Sequence, residues 1–309
     1  MNLLLLALIP PVGALVVVFW ILFWTAFTHL RWTRFYRQAG EEPPALDNQG
    51  WPRFYLRTLK AAITLIWWTV SHLFQNGLRC PPGKLTGPPV LCVHGFHMTG
   101  SCMWGLRRLL EARGRPTRSV FLGEPYRSAE IYAKSLTRAM RDLILQFEGK
   151  GIDVVAHSMG GLITRKVLAE DPELAAHVRR IVTLGSPHHG TGLLSWIRFG
   201  PVYQMMSLDS KFIRELPDFR ASAPDATVPT VATEQDLVVY PLSTCVLPGS
   251  RTVTLNGLGH MGLLTEVVTK IWKVLKGAEL HAQELFPQLV TDKYPSLPDE
   301  LTFLHAEEI

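Results

Sequence analysis

From Leu3 to Leu30 the chain is an almost unbroken run of apolar side chains, and no charged residue occurs before Arg31. Such a run can cross a bilayer, whose hydrocarbon core takes about 20 residues of helix. A cleaved signal peptide would need a basic start and a small-residue cleavage site, and neither stands out here. Residues 1–30 are therefore expected to be a retained transmembrane anchor. Arg31, Arg34 and Arg37 follow it directly, and the positive-inside rule puts that flank in the cytoplasm. A second apolar segment, Ala61 to Phe74, is short for a span and better fits an interfacial or core helix. Leu56, Leu59, Ile63, Ile66, Val70 and Leu73 recur at three-four spacing, a seam through which a homodimer could pair. Were this segment to cross as well, the remainder of the chain would lie outside, so sidedness stays open.

At Cys80-Pro-Pro-Gly83 the pattern changes to short apolar runs alternating with amphipathic stretches. Strands are expected at Pro89–His94, Ser119–Leu122, Ile152–Ala156, Ile181–Leu184, Pro229–Ala232 and Thr252–Leu255. Helices are expected at Cys102–Ala112, Ala129–Phe147, after Ser158, and at Gly262–Leu275. Strands alternating with helices of this length imply an α/β domain with a doubly wound, mostly parallel sheet. The expected organisation is an anchor (1–30), a juxtamembrane helical segment (31–80), a catalytic domain (81–277) with a cap at about 191–227, and a tail (278–309) that is acidic at its end.

Composition narrows the classes. The chain is 47% hydrophobic and only 18% charged, which leans towards membrane association. Its net charge of +5 is not gathered into a basic stripe with interleaved aromatics, so a nucleic-acid partner is not expected. The four cysteines show no C-x-x-C spacing; scattered free thiols are preferred over a disulfide, and a zinc site is not expected.

The chemistry gathers where strands end. Ile152–Ala156 runs into His157-Ser158-Met159-Gly160-Gly161, and a helical pattern follows at once. Strand, tight turn and helix is the setting of a nucleophile elbow, although Ala156 stands where that motif usually carries glycine. Phe96, Asp236 and His260 also follow strands, at the sheet edge where open α/β folds place their ligands. A serine hydroxyl is a weak nucleophile until a base takes its proton. His260 can do so near neutral pH if a carboxylate fixes its tautomer. Asp236 is the favoured carboxylate, with Glu234 and Asp225 as competitors; His188 and His189 compete less well with His260 because they precede the aspartate. The oxyanion would be met by backbone N–H groups of Met159 and Phe96. His94 is expected to brace the oxyanion loop, and His157 to pack away from the hydroxyl.

Val-His-Gly-Phe96, Ala-His-Ser-Met-Gly-Gly161, Thr-Leu-Gly-Ser-Pro-His-His-Gly190, Asp236-Leu-Val-Val-Tyr-Pro and Gly-His260 together resemble the bacterial triacylglycerol lipase and esterase family of α/β-hydrolases. The resemblance covers roughly Pro89 to Lys276. It implies the α/β-hydrolase fold, a Ser158–Asp236–His260 triad, oxyanion donors at Phe96 and Met159, and a bacterial inner-membrane location. Some members of that family hold a structural calcium; its ligands do not map onto this chain, so no metal or other cofactor is expected.

Between Gly190 and Val228 there is no sheet pattern but many large apolar residues, among them Trp196, Phe199, Met205 and Met206. They could form an ordinary cap packed on the core; their position beside the triad favours a lid or acyl-chain groove. The expected function is a membrane-anchored serine hydrolase of lipid or acyl esters. An acyltransferase using the same triad, or a catalytically inactive membrane scaffold, are the alternatives.

Overall fold

The N-terminal run is apolar all round rather than on one face, and in the computed structural model it forms one helix, α1 (Leu3–Gln38). The structure describes residues 3–46, 50–72, 77–80, 85–194, 200–208, 210–248, 250–267, 271 and 275, which leaves the C-terminal tail outside it. At 1.5 Å per residue α1 is about 54 Å long, well beyond the roughly 30 Å of a bilayer core. Its segment Gly13–Gln38 is long and apolar enough to span a membrane by length and composition. The helix divides by exposure. Leu15, Phe19 and Trp20 stand in the open, whereas Trp32, Phe35 and Tyr36 are buried.

The burial comes from α2 (Gly50–Ser71) and from the loop residues Leu237 and Tyr240. Trp32, Phe35, Tyr36 and Phe54 form one cluster with Leu237 and Tyr240, which lie just past Asp236. Emptying a fully buried aromatic site of this kind costs about 3–5 kcal/mol, so the lower half of α1 is an integral part of the domain. The second apolar segment is accordingly a docked helix, held by Phe54, Ala61 and Leu65. Trp68 and His72 carry it onto Trp104, with ring centroids 5.7 and 4.5 Å away. Its seam residues Leu56, Ile63, Ile66 and Val70 face outward together with Trp67; Leu73 lies outside the described residues.

The sheet comprises β1 (Val90–Val93), β2 (Thr117–Ser119), β3 (Ile152–His157), β4 (Val178–Leu184), β5 (Pro229–Thr233) and β6 (Arg251–Leu255). These six strands pair in parallel throughout, in the order β2-β1-β3-β4-β5-β6. Strands buried on both faces read as continuous apolar runs, as β1 does; β3 is interrupted by the buried Asp153, whose Oδ2 accepts from Arg115 Nη2 at 2.7 Å. Between them pack α3 (Trp104–Glu111), α4 (Ala129–Gln146), α5 (Met159–Glu170) and α6 (Pro172–Ala175). From β1 the chain steps outward to β2, then returns to the other side of β1 as β3, so the order reverses between β1 and β3. A crevice opens at such a switch point, beyond the carboxyl ends of the strands.

Strand β2 corrects the sequence expectation of Ser119–Leu122. The strand is set by its partner: residues 117–119 lie against Val90, Leu91 and Cys92. Since β1 ends at Val93, residues 121 and 122 have no ladder to join, and the Leu122 N–H donates instead to His94 Nε2 at 3.1 Å. Where a helix was expected from Gly262, the described turn Leu263–Val267 is π-helical. The four cysteines are free.

Candidate active site

Ser158 occupies the turn between β3 and α5 with φ 54° and ψ −127°, a backbone region costly for any residue with a side chain, about 1–3 kcal/mol. The surroundings hold it there. Its N–H donates to Leu184 O at 2.9 Å, and its carbonyl accepts from Gly161 N–H at 3.0 Å. The glycines that follow and face it allow the close approach. A methyl group at Gly160 would sit 2.8 Å from His94 O, and one at Gly95 would sit 2.9 Å from Ser158 Cβ. Ala156, by contrast, is wholly buried in the core under α5, where its methyl is accommodated.

Asp236 and His260 come from the loops after β5 and β6. Thr233 Oγ1 donates to Leu258 O at 2.8 Å and ties the two loops together. Asp236 Oδ1 accepts the N–H groups of Val238 and Val239, both at 2.8 Å, which aims Oδ2 at His260 Nδ1, 2.6 Å away. A carboxylate there requires Nδ1 to carry the proton, leaving Nε2 as a base. The competing groups are engaged elsewhere. Glu234 accepts from Asn256 Nδ2 at 2.6 Å, and Asp225 lies exposed before the start of β5. His188 Nε2 meets Thr183 Oγ1 at 3.3 Å, and His189 Nε2 meets Val246 O at 2.9 Å.

Ser158 and His260 line one cavity of about 680 Å³, within the range of small-molecule sites. Among the described residues no hydrogen bond joins the serine hydroxyl to the imidazole; such contacts commonly tighten only when substrate is bound. His157, expected to pack, is wholly buried and also borders the cavity. Its ring centroid lies 4.6 Å from that of His260, and its Nε2 lies 3.4 Å from His260 O. Burial, and then the neighbouring His260, push the His157 pKa well below the ordinary range and keep it neutral.

Met159 opens α5, so its N–H has no partner inside the helix and points where negative charge is favoured. Phe96 follows β1 on the opposite rim, and its ring lies across those of His97 and Tyr126, at 4.3 and 5.3 Å. Beneath this loop His94 Nδ1 donates to Gly95 O at 2.8 Å while Nε2 accepts from Leu122. That fixes a neutral tautomer, and burial lowers its pKa to about 4. His94 thus braces the loop, as its place in the sequence suggested.

The cap contributes α7 (Pro201–Met206), α8 (Lys211–Glu215) and α9 (Phe219–Ser222). Met206 lines the cavity with Val202 and Tyr203. Both methionines are buried in the same core cluster, but Met205, expected beside Met206 on the cavity, does not line it, since consecutive helical residues point about 100° apart. Trp196 and Phe199 lie outside the described residues. Arg165 of α5 pins the cap to its base by donating to His188 O at 2.7 Å, Leu216 O at 2.6 Å and Pro217 O at 3.1 Å. Sequence reasoning missed His97, Tyr126 and, from far up the anchor helix, Trp24, all on the cavity wall. The aromatic in Gly123-Glu-Pro-Tyr126 was a usable signal; nothing local marked Trp24.

Residues 128–274, just under half of the chain, match the family described as Domain of unknown function (DUF7379). Over 74 residues the chain is 42% identical to Uncharacterized protein YJR098C of Saccharomyces cerevisiae, a stretch amounting to 24% of this chain and 11% of that protein. Among solved structures it is similar to Bacillus licheniformis lipase BlEst2 in its propeptide form, with a TM-score of 0.54, 17% identity, and 72% of this chain and 56% of that one covered. It is likewise similar to Aspergillus fumigatus lipase B, with a TM-score of 0.53, 18% identity, and 68% and 59% covered. The chain thus spans little more than half of each of these solved chains and about a tenth of the yeast protein. At such identities the likeness is one of architecture, and with the parallel sheet and its switch-point crevice it gives the domain the α/β-hydrolase fold.

Proposed function

We propose that the protein is a membrane-anchored serine hydrolase that cleaves carboxylic esters of lipids or other acyl compounds. The observation that carries this reading is the Asp236–His260 pair, 2.6 Å apart and buried, whose histidine lines the cavity that also holds Ser158. His260 Nε2 would take the Ser158 proton as Oγ attacks the ester carbonyl carbon. The imidazolium, stabilised by Asp236, would return that proton to the departing alcohol oxygen as the C–O bond breaks. Water would then resolve the acyl-enzyme by the same steps in reverse roles. The N–H groups of Met159 and Phe96 are the donors for the oxyanion, each worth about 3 kcal/mol in the transition state.

Two further features support a lipid-like substrate. The cavity wall is mostly hydrocarbon, and the apolar helix α1 contributes Trp24 to it. The motif resemblance to bacterial lipases and esterases points the same way. Covalent labelling of the purified full chain by a fluorophosphonate tests the proposal: wild type should label and Ser158→Ala should not. Equal labelling of the two, or no labelling of wild type, would overturn it.

A further inference from the structure

The cavity at Ser158 is continued towards α1 and α2. A second groove of about 360 Å³ lies between α1 and α2. Trp20, Ile21 and Trp24 form its α1 wall; Phe54, Thr58 and Ala62 form its α2 wall. Trp24, Val238, His260 and Met261 line both hollows, so the two meet at the histidine. The threonines of α1 in this groove do not make it polar. Thr25 Oγ1 donates back to Ile21 O at 2.7 Å and Thr28 Oγ1 to Trp24 O at 2.9 Å, so both hydroxyl protons are taken up within the helix.

The outer end of the groove is continuous with surface suited to hydrocarbon. Trp20 and Trp24 are 58% and 52% exposed within the stretch of α1 that can span a bilayer. The outward stripe of α2, Leu56, Ile63, Ile66, Trp67 and Val70, adds a second apolar face alongside. Both faces are disfavoured in water and favoured in a lipid leaflet or at its interface.

We propose that the groove binds the alcohol-side hydrocarbon chain of a two-chain bilayer lipid, whose scissile ester lies at Ser158 and whose acyl chain fills the larger cavity. The lipid is thereby taken sideways from the leaflet beside α1. This rests on the reading of Ser158, Asp236 and His260 as a hydrolytic triad. His260 fixes the assignment of the two compartments. The group leaving the tetrahedral intermediate is the alcohol oxygen, and it must receive its proton from His260 as the bond to the carbonyl carbon breaks. The compartment that begins at His260 on the side away from the cap is therefore where the alcohol portion lies and departs; the acyl portion stays on Ser158 until water releases the acid.

The test uses the full chain in membranes and the ethyl, butyl, octyl and dodecyl esters of oleic acid, with fluorophosphonate labelling of each variant alongside. In wild type, kcat/KM should rise with the alcohol chain by up to about fourfold per methylene until the groove is filled. Ala62→Phe, and Ile21→Trp from the opposite wall, should each cut the dodecyl-to-ethyl ratio of kcat/KM at least tenfold. A wild-type ratio near one, or a ratio that neither filling variant moves while both still label, would overturn the groove and leave the triad standing. Wild type that neither labels nor hydrolyses ethyl oleate would overturn the hydrolase reading and the groove with it.

Discussion

Asp236 holds His260 by one oxygen while its other oxygen is held by the chain itself: Oδ2 lies 2.6 Å from His260 Nδ1, and Oδ1 accepts the N–H groups of Val238 and Val239. Asp236→Asn should keep the loop, because an amide oxygen can accept the same two N–H groups. It should lose the histidine tautomer, because an amide NH₂ facing Nδ1 leaves the proton on Nε2. The expected result is a fall of about 10⁴-fold in ester turnover with an unchanged melting temperature. Steady-state kinetics beside a thermal melt checks both halves, and a loss below tenfold would remove Asp236 from the triad.

Ser158 shows a second conflict, between function and backbone. With φ at 54° and ψ at −127°, any side chain at this position is strained, and glycine is not. Ser158→Ala should therefore match wild type in stability, while Ser158→Gly should exceed Ser158→Ala by about 1 kcal/mol, both being inactive. Urea unfolding of the three proteins decides this. Equal stability of the alanine and glycine variants would mean that the elbow is relaxed.

Protonation should reveal the buried histidines. His94 is 2% exposed, and its pKa falls from the ordinary 6.5 to about 4; His157 and His188 are likewise pushed down by burial. The unfolded chain takes up these protons near pH 6.5 and the folded chain does not, so stability is full above that pH and is lost as pH falls towards 4. The slope contributed by His94 in that window is about 1.4 kcal/mol per pH unit. His94→Gln retains a donor and an acceptor for the loop and should flatten the pH dependence of unfolding by that amount. An unaltered slope would mean that His94 is charged in the fold.

The strand, tight turn and helix around Ser158 and the places of Asp236 and His260 just past strand ends were legible because each rests on short-range pattern: a buried run, a tight turn with small residues, and a polar group just past a strand end. Features that depend on distant partners were not. The register of β2 follows from β1 and from His94, not from its own apolar residues. Met205 and Met206 are equivalent in composition and both join the core, and only the docking of α7 decides that Met206 also lines the cavity. The position of Trp24 follows from the packing of Trp32 and Phe35 against Leu237 and Tyr240, some two hundred residues later in the chain.

Arg165 offers a test of how the cap is attached. The residue is 3% exposed, and its guanidinium donates to three carbonyls, one in the His188 loop and two at the end of α8. Burial lowers its pKa to about 10, still far above neutrality, so the charge persists and the bonds are charge-assisted. Arg165→Met fills much of the same volume but leaves three carbonyls without donors. The expected cost is about 3 kcal/mol, and residues 200–222 should become the first site of limited proteolysis. Arg165→Lys should rescue little of this, since one ammonium on a flexible stem cannot reach carbonyls spread across a planar fork. Turnover of a short ester should fall less than turnover of a long one, because the cap supplies Val202, Tyr203 and Met206 to the cavity wall but none of the groups assigned to the chemistry. A variant that unfolds within 1 kcal/mol of wild type and shows no new cleavage would mean that the cap is held by its apolar contacts alone.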